Sequence, residues 1–156
     1  MTEQPEAATP DGAETIRLLS LVERTVTQRL DDALRAVGSG IDQWRVLSLL
    51  AERGGCPMHV VADHALLLAP RLSKLVDRMV SANLVLRRAD DHDRRRVLVF
   101  ASARGRQALA EWDAVAADVT RQFRDAVGAD AALLDDALRR LSHELAGGAV
   151  PAAVPD

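Results

Sequence analysis

The apolar pattern of this chain changes period only once. Over 84–88 and 95–101 short runs rich in Val, Leu and Phe read as strands, with Val97 and Val99 on one face and Leu98 and Phe100 on the other; on both sides of that segment the apolar residues step by three and four, as along a helix. An Asp-rich turn at 90–94 separates the two runs, so they read as one β-hairpin, the sole convincing one in the chain. The fold class that follows is mainly α with a small β-hairpin.

Four helices are predicted ahead of the hairpin. The first, 14–37, carries Ile16, Leu19, Val26, Leu30, Leu34 and Val37 at helical steps and stops at Gly38-Ser39-Gly40. The second, 43–53, has Asp42 as its expected cap, Trp44, Leu47 and Leu50 turned inward, and Gly54-Gly55 at its end. Pro57 suits the first position of a short third helix, 57–65. The fourth has Pro70 in its first turn and runs to about Ala82. Leu72, Leu75, Val76 and Met79 form its apolar stripe, which leaves Arg71, Ser73, Lys74, Asp77 and Arg78 on the rest of its surface. Asn83 is the expected left-handed cap.

After the hairpin, Ser102 caps a long helix reaching Val127, with Leu109, Trp112, Ala116, Val119 and Phe123 close to a coiled-coil seam. Gly128 breaks it, and Asp130 caps a last helix to Ala146 carrying Leu134, Leu138, Leu141 and Leu145. The loose compositions of 1–13 and 147–156 predict disordered tails. That leaves 14–146 as a single domain, in which helices 14–37 and 103–146 flank a middle segment 41–101. The outer helices carry long apolar seams that bury most easily against each other and a second copy, so a symmetric homodimer is expected.

The net charge of −3 hides an asymmetry: 71–106 holds ten basic and four acidic residues, the remainder ten and nineteen. A basic middle on an acidic frame fits a face that meets a polyanion. A merely solvated surface, or a helical protein–protein module with a basic patch for an acidic partner, carries the same charge and stands as the alternative. The order of elements favours nucleic acid. Helix–turn–helix followed by a hairpin is a winged helix-turn-helix arrangement, in which one helix enters the major groove and the hairpin reaches the adjacent minor groove. The DNA-facing residues it selects are Arg71, Ser73, Lys74 and Arg78 on the fourth helix, with Pro70 in that helix's first turn, and Arg94 and Arg95 at the hairpin tip.

Several stretches together resemble the MarR family of bacterial transcription regulators. Ile41-Asp42-Gln43-Trp44-Arg45-Val46-Leu47 is similar to the opening of the family's second helix. Leu75-Val76-Asp77-Arg78-Met79 and Asn83-Leu84-Val85 are similar to its recognition helix and exit, and Asp93-Arg94-Arg95, Val97-Leu98-Val99 and Gly105 to its wing signature. The likeness spans about 14–145. It implies a ligand-responsive homodimeric repressor on a pseudo-palindromic double-stranded operator, released by a small aromatic or amphipathic molecule. It also implies that Asp93 holds Arg95 for the minor groove, although Arg94, Arg95 and Arg96 are all on offer. Three departures stand out. Leu68-Ala69-Pro70 replaces the frequent Ser or Thr and resembles the branch that controls breakdown of aromatic acids. Ala101-Ser102 replaces Leu-Thr, and Asn83 replaces Gly.

The resemblance further places the effector between the DNA-reading lobe and the dimer helices, where Trp44, Trp112 and an arginine of the first helix, Arg17 or Arg24, would hold an aromatic carboxylate. Core packing is the competing role for the tryptophans. Cys56, His59, Asp63 and His64 lie within nine residues, but their spacing does not converge on a metal, and no metal or cofactor is expected. Phosphate loops, nucleophile elbows and zincin motifs are lacking, so the chain is not expected to be an enzyme. Its apolar runs fall far short of the ~18 residues of a membrane span. The polar N-terminus and single cysteine fit the cytoplasm.

Overall fold

A computed structural model of the chain describes residues 12–147; the expected tails at 1–11 and 148–156 lie outside them. The element order is α1 (Gly12–Ala36), α2 (Ile41–Arg53), β1 (Cys56–Pro57), α3 (Met58–Ala65), α4 (Ala69–Ser81), β2 (Val85–Ala89), β3 (Val97–Ala101), α5 (Ala103–Val127) and α6 (Ala131–Gly147). Gly12, Ala13 and Gly147, read from sequence as tail, belong to the outer helices. The chain, read above as one domain over 14–146, sorts into two compact units, with the division between Val119 and Thr120 inside α5.

The first unit is built on the apolar faces of α2, α3 and α4. Leu47 and Leu50 of α2, Val61 of α3, and Leu72, Val76 and Met79 of α4 are fully or almost fully buried together with Val85 and Val99 of the sheet. The stripe predicted for α4 is thus the face that seats it, and its polar side is left to solvent. Leu34 of α1 and Leu109 and Trp112 of α5 close the same core.

The hairpin is present, with Val85 opposite Ala101 and Ala89 opposite Val97. It gains a third strand that period analysis could not find, because the strand is only two residues long. Cys56 pairs with Val99 and Pro57 with Leu98, giving the antiparallel order β1-β3-β2. Pro57 therefore lies in β1, and its extended backbone (φ −69°, ψ 155°) caps α3 instead of opening it.

One other expectation about a helix start is corrected. Asp42 lies inside the first turn of α2; the Ile41 N–H, which has no partner within its own helix, is satisfied by Asp31 of α1, at 2.9 Å. Residues Gly128–Asp130 form a short 3-10 turn, and α6 starts directly after Asp130, at the start read from the sequence. By contrast, Asn83 adopts the left-handed conformation expected of it (φ 57°), and Leu66 after α3 does so as well (φ 59°).

The second unit holds the end of α5 and α6, tied by an Arg124–Asp135 ion pair. Among its apolar residues Leu133, Leu138, Leu141 and Leu145 are exposed, Leu145 to 70%.

Candidate nucleic-acid interface

The polar side of α4 presents Arg71, Ser73, Lys74 and Arg78, all exposed. Pro70, Arg71, Lys74 and Arg78 together line a shallow depression on this side. Among the described residues Lys74 and Arg78 have no ion-pair partner. Arg71 does: its Nη2 is 2.7 Å from Asp42 Oδ2 on α2. A second ion pair, Arg87 Nη1 to Asp77 Oδ1 at 2.7 Å, links β2 to α4. Arg88 lies over the Phe100 ring, 5.6 Å from its centre, on the neighbouring strand.

The wing tip is held through its backbone. The Asp90 N–H donates to the Arg96 carbonyl at 2.9 Å, and the Arg96 N–H to the Asp93 carbonyl at 2.8 Å. The carboxylates of Asp90 and Asp93 accept the N–H groups of His92 and Arg95, at 2.9 and 3.0 Å. The expectation that Asp93 holds the Arg95 guanidinium is corrected here. Asp93 binds the Arg95 backbone instead, because a short Asp side chain folds most easily onto the N–H two residues ahead. The side chains of Arg94, Arg95 and Arg96 consequently extend from the tip without an ion-pair partner among the described residues.

The wing's return into α5 explains two residues of the sequence signature. Ser102 Oγ accepts the Gly105 N–H at 2.8 Å, which caps α5, and donates to the Asn83 carbonyl at 2.6 Å. At Gly105 a Cβ would overlap the Leu84 carbonyl oxygen, so only glycine lets α5 pass this close to the start of β2.

The residues assigned to an effector are not presented as a set. Trp112 is 5% exposed and belongs to the core. Trp44 is half-buried against the same core and donates its indole N–H to Asp113 Oδ1 of α5 at 2.8 Å. Arg17 and Arg24 are exposed on α1, Arg17 at 3.8 Å from Glu14 one turn earlier. Burial pushes the Cys56 thiol above its usual pKa, only partly offset by Arg53, which disfavours the reactive thiolate. His59, Asp63 and His64 are exposed, and no metal-ligating group of three is found among the described residues.

Sequence reasoning missed Asp31 and Asp113 and the bracing role of Asp42, three acidic residues that organise this region. The Ile41 N–H holds the Asp31 carboxyl below the usual range; burial opposes this and Arg35, at 2.8 Å, adds to it. The partners Ile41, Arg71 and Trp44 lie 10, 29 and 69 residues away, so no local pattern announces them.

A buried three-helix seat, an exposed basic helix and a hairpin joined to it define a winged helix-turn-helix protein. Residues 39–96 match the MarR family model. A 69-residue stretch is 35% identical to the transcriptional regulator FarR of Neisseria gonorrhoeae, covering 44% of this chain and 47% of that protein, so the match spans about half the relative's length. The structure of NadR in complex with 4-hydroxyphenylacetate superposes with a TM-score of 0.70 at 27% identity, covering 94% of this chain and 98% of that one. A mutant E. coli MarR complexed with operator DNA does so at 0.72 and 21% identity, covering 85% and 99%. The chain is thus similar to the MarR family over residues 39–96 and shares the winged-helix fold of the solved MarR regulators.

Proposed function

We propose that this chain is a DNA-binding transcriptional regulator that acts as a cytoplasmic homodimer, with α4 in the major groove and the β2–β3 wing in the minor groove of each operator half-site. The observation that carries this reading is the row of exposed cations on α4 beside the unpaired arginines of the wing tip. The operator complex of a fold relative supports it. A pseudo-palindrome with half-sites about 34–36 Å apart would match a two-fold dimer. Dimerisation is supported by apolar side chains left uncovered on α1 (Ile16, Leu18, Leu19, Leu21 and Val22) and, separately, on α6.

Repression relieved by a small aromatic acid is the regulatory half of the proposal. Its support is the effector bound to NadR together with the Leu68-Ala69-Pro70 departure. By linkage such a molecule binds the free dimer better than the DNA-bound one, by ~1–3 kcal/mol if the coupling is ordinary. Trp44, Arg17 and Arg24 stay candidates for its site. Trp112 would take part only after leaving the core.

Binding to duplex DNA measured across a salt series tests the reading. Lys74→Ala and the double substitution Arg94→Ala/Arg95→Ala should each lower the salt slope, by about one unit for every phosphate no longer neutralised, with the melting temperature unchanged. If no substitution of a basic residue alters the slope, the basic face serves an acidic protein partner instead. Addition of 4-hydroxyphenylacetate should raise the melting temperature and weaken DNA binding together.

A further inference from the structure

Arg71 differs from the other cations of α4. Its guanidinium is fixed on Asp42 at 2.7 Å, while Lys74 and Arg78 have no ion-pair partner among the described residues. The pair is asymmetric: the Asp42 side chain is 21% exposed and that of Arg71 71%. The acid is seated and the base displayed. Asp42 sits in the first turn of α2, where the helix dipole favours an anion, and α2 is anchored by the buried Val46, Leu47, Leu49 and Leu50. Arg71 sits in the first turn of α4, directly after Pro70. When such a helix enters the major groove, the side chains of its N-terminal turn are the ones that meet base edges.

We propose that Asp42 is a positioning residue that presents Arg71 as a base-reading fork at the start of the recognition helix. This rests on the DNA-binding reading above. Two physical points lead there. First, a carboxylate beside Arg71 cancels most of its charge, so it releases few counterions and is a poor choice for a phosphate contact. Second, guanidinium has five N–H donors in a rigid plane. One bond to Asp42 restricts the long side chain and leaves further donors facing outward, the geometry that meets the O6 and N7 acceptors of guanine. The labour on α4 is then divided: Lys74 and Arg78 provide attraction to the backbone, and the Asp42–Arg71 pair provides sequence discrimination.

The test compares the full-length chain with Asp42→Asn and Arg71→Lys on two probes, a duplex selected by the wild-type chain from a randomised pool and a random-sequence duplex. Arg71→Lys keeps the charge and loses the fork. Its discrimination between the probes should fall by roughly 5- to 150-fold while its affinity for random DNA holds. Asp42→Asn frees the Arg71 charge. Discrimination should fall several-fold, and the salt slope on random DNA should steepen by up to about one unit. Replacing the guanines of the selected duplex with 7-deazaguanine should weaken the wild type and leave Arg71→Lys unaffected. The inference is overturned if both variants keep the wild-type discrimination, or if Asp42→Asn tightens both probes equally, which would make Asp42 a simple competitor for Arg71. Should Asp42→Asn prove unfolded by melting, Arg71→Lys and the 7-deazaguanine probe decide the question alone. A wild-type chain that selects no sequence and shows no salt-dependent binding refutes the parent reading instead; selection by the wild type with unaltered variants refutes only this one.

Discussion

On the proposed reading, helix α4 and the wing tip offer DNA the same kind of charge by opposite means. Helix α4 is held from beneath by four buried apolar side chains, Leu72, Leu75, Val76 and Met79, and its first arginine is braced by a neighbouring helix. The tip is held by four backbone-directed hydrogen bonds, and the side chains of Arg94, Arg95 and Arg96 have no ion-pair partner among the described residues. A rigid helix with a fixed guanidinium suits base edges, whose donors and acceptors demand geometry. A short turn with free arginines suits the minor groove, whose width and potential vary with sequence and demand reach. On that reading, specificity and steering belong to different elements of one small lobe.

Substitutions that remove one support at a time break this comparison, beginning with the largest effect. Met79→Ala empties a fully buried position beneath α4, and a loss of about 3 kcal/mol in chemical denaturation is expected. DNA binding should fail along with the fold. Gly105→Ala drives a methyl group into the Leu84 carbonyl at the wing's root, for an expected loss of about 2 kcal/mol. If it is tolerated without loss, the approach of α5 to β2 is looser than described. The tip gives smaller changes. Asp93→Ala removes one turn hydrogen bond worth about 1 kcal/mol or less and should weaken DNA binding, whereas Asp93→Asn keeps the acceptor oxygen and should preserve both. Equal damage from Asn and Ala in a binding titration would restore the ion pair between Asp93 and Arg95.

The smallest effect concerns pH. The folded-state pKa of Asp31 lies below its ordinary value of 3.8, so its ionised form stabilises the fold. That contribution is complete above the ordinary value and is lost as pH falls from there through the lowered folded value. Asp31→Asn should therefore flatten the stability curve in that acid window, measured by denaturation at successive pH values, and an unchanged slope would show that the bond to Ile41 carries no linkage.

Wherever a feature depended on spacing along the chain, the amino-acid order determined it. The apolar stripe of α4, the hairpin, the left-handed Asn83 and the Ser102 cap were legible because side-chain period, turn chemistry and capping act within a few residues. The residues of the basic face were legible for the same reason, since a stripe that is buried dictates what is exposed. Tertiary structure alone decided the rest. The strand Cys56–Pro57 exists only because β3 offers it an edge. Trp112 became core, because α5 carries it into the apolar cluster built by α2, α3, α4 and the sheet. Asp42, read as a cap, became the brace of Arg71, because folding brought the two side chains together and the Trp44 N–H that a cap at Asp42 would bind is already paired with the Gly40 carbonyl. Pairings between residues so far apart in sequence have no local signal; they come into being when the core closes and brings the helices within reach of one another.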